Sequence, residues 1–292
     1  MSNTLASRRV QNLRRSLINQ IPRIPNNRIS LNSLESKTDT DLFIIYMCWQ
    51  IRHVSISPRV IINLPVLKDD SRASILAPNI EAFLANVESG SDLNPYLSRS
   101  AHRHGYVMEN DPSIETTSSW EDKDFLLNVM GFHHFHLGLE KKSNGLIART
   151  NEVLFAHVSR NSFKVIGLFD HTVFDWAVED HLTPERQKLW LIYDQFQATQ
   201  IAPGGMAIGG IGGMGITTAG TPMIITQMAI NQVRCIEKVN PRLDDLCYVQ
   251  EVICRNLEFP EKIKLSWRFS HLDFGLFNEP SREFINLLPS RV

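Results

Sequence analysis

The sequence predicts an α+β protein: a helical N-terminal region, a small central sheet that is mainly antiparallel, and a C-terminal helical layer with a glycine-rich hairpin. Three observations predict this class. Apolar residues recur at helical spacing before residue 90 and again after residue 183. Between about residues 130 and 172 they alternate, and β-branched and aromatic residues are frequent. Eight glycines within residues 203–222 disfavour a helix there.

Composition limits the class of protein. The chain has 292 residues, of which 43% are hydrophobic, and this is enough for a packed core. Its formal net charge of -1 excludes a polycation. No apolar run approaches the roughly 20 residues that span a bilayer, and the four cysteines form no Cys-x-x-Cys pair. We therefore expect reduced thiols, no membrane partner and a cytoplasmic location.

Residues 1–36 are predicted to be a basic, partly ordered arm. The first 28 residues contain six arginines and no acidic residue, with a loosely helical apolar pattern. Such an arm can lie along phosphates, and it can equally be a solvated terminus.

Residues 37–120 are predicted to be a helical N-terminal region. Residues 40–53 begin with cap-type side chains and continue as a largely buried helix, and residues 75–87 form a second helix that ends at a Ser-Gly-Ser sequence. Residues 93–119, which include a His-Arg-His sequence, are predicted to be a long irregular connection.

Residues 121–292 are predicted to be an α+β region that forms one compact unit with residues 37–120. Strands are expected near 132–137, 153–158 and 163–169, helices at 183–199, 223–239 and 243–257, and an edge strand of the same sheet at 262–275. Within the glycine-rich segment, Gly210–Gly215 has the spacing of a dinucleotide fingerprint, but no βαβ unit surrounds it. We expect a hairpin and no cofactor.

Three histidines lie together in the strand-like segment 124–138. Because side chains alternate along a strand, His134 and His136 are expected on one face with Phe132, and His133 on the other. Imidazole titrates near neutrality, so this grouping indicates proton transfer or metal binding. We interpret His134 and His136 as acid and base, Arg149 as a phosphate clamp and His171 as an auxiliary group. These groups predict metal-independent cleavage of RNA.

Other interpretations stay open. Two histidines at i and i+2 can share a zinc ion with His157 or His171 as a third ligand, which would make the protein a metal-dependent hydrolase. Single histidines are often satisfied core groups. A non-catalytic module that binds nucleic acid or protein through the basic arm and the glycine-rich segment is a further alternative.

Four phrases resemble a family of bacterial hypothetical proteins. They are residues 91–99, residues 126–137 with the pattern Leu-Leu-Asn-x-x-Gly-x-His-His-x-His-Leu, Arg149-Thr150 with residues 153–156, and residues 241–245. That resemblance implies no particular activity. More loosely, a helical start before a small sheet with His and Arg resembles ribonuclease toxins of the RelE-like, colicin and EndoU type. This likeness implies a toxin or phage-defence setting, RNA as partner, and a protein partner or antitoxin.

Overall fold

The computed structural model describes residues 7–108, 126–175, 181–200, 215–218, 220–255 and 262–290, and it confirms the α+β class. Helices precede and follow the central strands. The α-helices are α1 (Arg8–Gln20), α2 (Arg28–Glu35), α3 (Asp39–Gln50), α4 (Ser71–Ile75), α5 (Ala77–Ser89), α6 (Arg99–Arg103), α7 (Pro184–Gln200), α8 (Met223–Val239) and α9 (Leu246–Tyr248).

Nine strands form three small sheets among the described residues. The strands are β1 (Arg23–Ile24), β2 (Val60–Ile62), β3 (Tyr106–Val107), β4 (Phe132–His136), β5 (Glu152–Val158), β6 (Ser162–Asp170), β7 (Leu265–Ser270), β8 (Asp273–Asn278) and β9 (Glu283–Leu288). Short 3₁₀ turns occur at Leu64–Leu67, Asn94–Tyr96, His171–Phe174 and Asn240–Arg242, and π-helical turns at Leu126–Met130 and Val249–Ile253.

The chain divides into two compact units that alternate along the sequence. The first comprises Met1–Ile51, His104–Asn110 and Ile225–Arg291, and the second comprises Arg52–Arg103 and Asp111–Ile224. This division differs from the three consecutive segments predicted from the sequence, because sequence patterns do not reveal which distant segments pack together.

The described part of the first unit contains a parallel pair, β1 with β3, and an antiparallel meander of β7, β8 and β9. Phe43 of α3 packs its ring against Phe269 and Phe274, with centroid distances of 5.5 and 5.9 Å. The sequence predicted one strand over residues 262–275, and the structure has β7 and the start of β8 there, joined by a turn at residues 271–272. The predicted place of that strand at the edge of the central sheet is wrong, because β7 pairs with β8 in a sheet of its own.

The structure describes residues 7–36 of the basic N-terminal segment, and α1 and α2 lie there. Ser7 caps α1 by accepting a hydrogen bond from the Val10 amide, and Val10, Leu13 and Leu17 of α1 are buried. Burial of this apolar stripe stabilises the helix against the rest of the first unit.

The sheet of the second unit has the order β2-β6-β5-β4 and carries the histidine-rich strand β4 at its edge. β4, β5 and β6 are antiparallel as predicted, while β2 runs parallel to β6 and was not predicted. Both faces of the sheet are covered along β5 and β6, whereas Val60 and Ile62 of β2 are exposed. Phe83 and Val87 of α5 cover one face, and Leu189 and Tyr193 of α7 cover the other.

A β-bulge interrupts the pairing of β5 with β6. Ala156 pairs with Val165, but Phe155 pairs with Gly167, so that Ile166 is an extra residue. Gly167 has a φ of 156°, which L side chains rarely adopt. Because of the extra residue, Phe169 lies on the same face as Ile166, the face covered by α7.

Most predicted helices are confirmed, and a few segments differ. The connection after residue 93 contains a 3₁₀ turn, α6 and β3, while residues 109–119 lie outside the described residues. The helix predicted at 243–257 consists of α9 and a π-helical turn, and residues 256–257 are outside the described part. Of the glycine-rich segment, residues 203–214 and 219 are not described, whereas Ile216 forms an antiparallel bridge with Pro222.

Candidate functional site

β4 places its histidines as the alternation predicted. His134 lies opposite Phe155 and His136 opposite Val153 in the ladder with β5. His133 is on the other face, where its ring stacks with that of Phe135 at a centroid distance of 6.2 Å. His134 and His136 therefore belong to the face covered by α7.

The turn after β6 brings His171 next to His136. The 3₁₀ turn His171–Phe174 begins where Asp170 accepts a hydrogen bond from the Thr172 amide at 2.9 Å. The imidazole rings of His171 and His136 have centroids 5.7 Å apart. Because β5 separates β6 from β4 in the sheet, this contact requires the turn to cross over the end of β5.

Phe174 occupies the centre of the group. Its ring centroid is 4.9 Å from that of His134, 5.9 Å from that of His171 and 5.9 Å from that of Phe155. Phe174 is 5% exposed, so it is a core residue as well as a neighbour of two imidazoles. We call His134, His136, His171 and Phe174 the histidine cluster.

The three imidazoles of the histidine cluster differ in burial. His136 is only 4% exposed, whereas His134 and His171 are half-buried. A group that exchanges protons with a substrate must reach it directly or through one water. Within the cluster, His134 and His171 are therefore better placed for contact with a ligand than His136.

The N-terminal end of α7 holds the turn that carries His171. The Thr183 hydroxyl donates a hydrogen bond to the Thr172 carbonyl at 2.8 Å. The Arg186 guanidinium contacts the Val173 carbonyl at 3.5 Å and is fully buried. Sequence reasoning missed Arg186, because nothing in the Thr-Pro-Glu-Arg helix start distinguishes a buried arginine from a solvated one.

A charged network anchors the end of β6 next to this turn. Arg72 forms two hydrogen bonds with the Asp70 carboxylate, at 2.9 and 2.8 Å, and donates another to the Leu168 carbonyl. The hydrogen bonds from Arg72 hold the pKa of Asp70 well below its usual range. Glu185 contacts Arg72 at 3.2 Å and accepts from the Asp170 amide at 3.3 Å. The residue preceding His171 is thus tied to a four-charge network that is completed by Lys188.

Arg149, the predicted phosphate clamp, has an exposed side chain next to the end of β4. The neighbouring Thr150 hydroxyl accepts a hydrogen bond from the Leu137 amide at 3.0 Å, which fixes this segment beside the residue that follows His136. The structure thus places the Arg149 backbone one residue from the Thr150–Leu137 hydrogen bond, at the end of β4 that carries His136.

His157, which the zinc interpretation named as a possible third ligand, lies at the far end of the ladder. It pairs with Phe132, whereas His136 pairs with Val153. The two pairs are four positions apart along β5, or roughly 13 Å at the usual rise. Burial lowers the pKa of His157, and the Lys164 ammonium lowers it further. Among the described residues, no three His, Cys, Asp or Glu side chains form a group that could hold a metal ion.

No protein-family model, curated protein or solved structure matches this chain. In the part of the chain that the structure describes, no helix combines the length and the apolar character needed to cross a membrane.

Proposed function

We propose that the histidine cluster cleaves RNA by metal-independent acid-base catalysis, with His134 and His171 as the two groups that exchange protons. One observation carries this proposal: two half-buried imidazoles, from β4 and from the turn after β6, border the same Phe174 ring. Because His136 is only 4% exposed, we propose a role for it that differs from the acid-base role expected from the sequence. It becomes a positioning residue, whose ring packs beside that of His171.

The chemistry requires one neutral and one protonated imidazole at the same pH. The neutral ring takes the proton of the ribose 2′-hydroxyl as its oxygen attacks phosphorus, and the imidazolium gives a proton to the departing 5′ oxygen. The phosphorus-to-5′-oxygen bond breaks, and a 2′,3′-cyclic phosphate forms. Imidazole suits both roles because its pKa lies near neutrality.

Arg149 is the proposed phosphate clamp. Its guanidinium is exposed, on a segment tied to Leu137 through Thr150, and in this proposal it binds the phosphate on which the two imidazoles act. A guanidinium pairs with two phosphate oxygens at once, and it stabilises the charge that develops on them during the attack.

The test uses purified protein, a defined RNA oligonucleotide and the same oligonucleotide with a 2′-deoxy substitution at the cleaved position. We expect cleavage of the RNA alone, with a 2′,3′-cyclic phosphate product that forms equally well with a chelator present. His134→Gln and His171→Gln should each slow the reaction by roughly 10²–10⁴-fold. The matched control is His133→Gln, since His133 lies on the opposite face of the same strand.

Three results would contradict the proposal. The first is absence of cleavage by the wild-type protein on both structured and unstructured RNA. The second is an equal loss of rate in the His133→Gln control. The third is loss of activity with chelator and recovery with Zn²⁺, which would favour the metal-dependent hydrolase instead.

The biological setting belongs to the same proposal. Cleavage of RNA fits a cytoplasmic protein that acts in a toxin or phage-defence role, and such a protein needs an antitoxin or another protein partner to restrain it. The loose architectural likeness to ribonuclease toxins supports this setting, at the level of analogy alone.

A further inference from the structure

The exposed side of α1 carries a narrow stripe of arginine and asparagine. Arg8, Asn12, Arg15 and Asn19 are all exposed, and their spacing of four, three and four residues places them on one line along the helix. We call these four residues the α1 stripe. The opposite side of α1 is buried through Val10, Leu13 and Leu17, so the stripe faces away from the core of the first unit.

All the charged side chains of α1 itself are positive. α1 contains four arginines and no acidic residue. Arg9 is paired with Asp244 at 2.6 Å, and Arg14 is paired with Asp39 and donates to the Lys37 carbonyl. The ion pairs of Arg9 and Arg14 join α1 to other segments of the first unit, while Arg8 and Arg15 place their charges on the exposed stripe.

We propose that the α1 stripe binds double-stranded DNA, with α1 lying in the major groove. Arginine and asparagine are the side chains that form paired hydrogen bonds with guanine and adenine edges there. Seven residues separate Arg8 from Arg15, or about 10 Å along the helix, which matches roughly three base-pair steps of B-form DNA.

Double-stranded DNA fits the α1 stripe better than double-stranded RNA or a single strand does. The major groove of an A-form RNA duplex is too deep and narrow for side chains to read. Recognition of single strands relies on aromatic platforms for the bases, and α1 contains no aromatic residue. The inference is independent of the proposed RNA cleavage, because α1 belongs to the first unit and the histidine cluster to the second.

The test measures fluorescence anisotropy of the full chain with three labelled probes. They are a mixed-sequence DNA duplex about 20 base pairs long, the RNA duplex of the same sequence and one separated DNA strand. We expect the DNA duplex to bind tightest, with an affinity that falls as salt is raised. The Arg8→Gln, Arg15→Gln double variant should bind it about tenfold or more weakly.

The matched control is Lys141→Gln, Lys142→Gln, which removes two exposed charges from the second unit. Circular dichroism and thermal unfolding of each variant show whether the chain has kept its overall helix content and stability. The proposal is overturned if the two double variants weaken DNA binding equally, if the RNA duplex or the single strand binds as tightly as the DNA duplex, or if no probe binds at low salt. Asn12→Ala should change which sequences are enriched from a random duplex pool, with a smaller change in overall affinity.

Discussion

Phe174 packs edge-on against His134, with ring centroids 4.9 Å apart and an interplanar angle of 62°. One of these residues lies on an edge strand and the other in a turn that follows a strand two places away in the sheet. The contact means that the position of His134 depends on packing as well as on strand geometry. Phe174 also contacts His171, at a centroid distance of 5.9 Å, and so links it to His134.

Phe174→Leu should therefore lower the rate of RNA cleavage by more than its loss of folding stability alone would cause. The smaller side chain leaves space beside both imidazoles, and we expect a loss of roughly 1–2 kcal/mol in the free energy of unfolding. Phe135→Leu, on the opposite face of β4, is the control with a similar cost in stability. Rates measured well below the melting temperature of both variants test this, and equal rates in the two would contradict it.

His157 should make stability depend on pH near neutrality. Burial and the Lys164 charge lower its pKa in the folded chain below the ordinary value of 6.5. The unfolded chain then binds the proton more readily, so the contribution is fully present above pH 6.5 and is lost as the pH falls towards the folded pKa.

Urea unfolding at about pH 7.5 and pH 5.5 measures this loss. His157→Phe should show a smaller decrease between the two conditions, and Lys164→Met should do so in part because it removes the nearby charge. A decrease as large in His157→Phe as in the wild type would assign the pH dependence to other groups.

Asp70→Asn should destabilise the second unit by about 2 kcal/mol, because it removes the charged acceptor of the Arg72 hydrogen bonds. The pKa of Asp70 is depressed in the folded chain below the ordinary value of 3.8. Its contribution to the free energy of unfolding is therefore present above pH 3.8 and is lost as the pH falls towards the folded pKa. The difference in unfolding free energy between wild type and variant should be constant near neutral pH and shrink below about pH 4. Asp69→Asn, an exposed neighbour, should have little effect.

Gly138→Ala tests the segment that carries Arg149. A Cβ at residue 138 would stand 2.2 Å from the Ala148 carbonyl oxygen, so the two backbones would have to separate. We expect a cost of about 1–3 kcal/mol and weaker binding of RNA, with the imidazole chemistry less affected. Gly145→Asn lies in open space in the same loop and is the control, since asparagine tolerates its positive φ. Unfolding and RNA-binding curves for both variants test this, and equal stability and equal RNA affinity in the two variants would contradict it.

The local elements could be predicted because each depends on its own residues. The apolar stripe of α3, the helix start of α7 and the alternation around His134 are properties of short segments, and the structure confirms all three. The separation of His133 from His134 and His136 follows from the same alternation.

The assembly of the site could not be predicted in this way. The meeting of His136 with His171 depends on the strand order, on the bulge at Ile166 and on the path of a four-residue turn, none of which has a signature in the sequence. The burial of Arg186 and the place of β7 in a separate sheet depend on long-range packing in the same way. For this reason His171 could be named from the sequence as an auxiliary group, but its contact with His136 could not be predicted.

The extra residue in β6 determines which side of the sheet the turn after it will reach. Deleting one codon at Ile166 would reverse the facing of every later residue of the strand, sending Phe169 and the following turn towards α5. A codon lost from the open loop around Gly145 would alter only loop length. The deletion near Gly145 would thus only shorten a connection, whereas the deletion at Ile166 would separate His171 and Phe174 from His134 and His136.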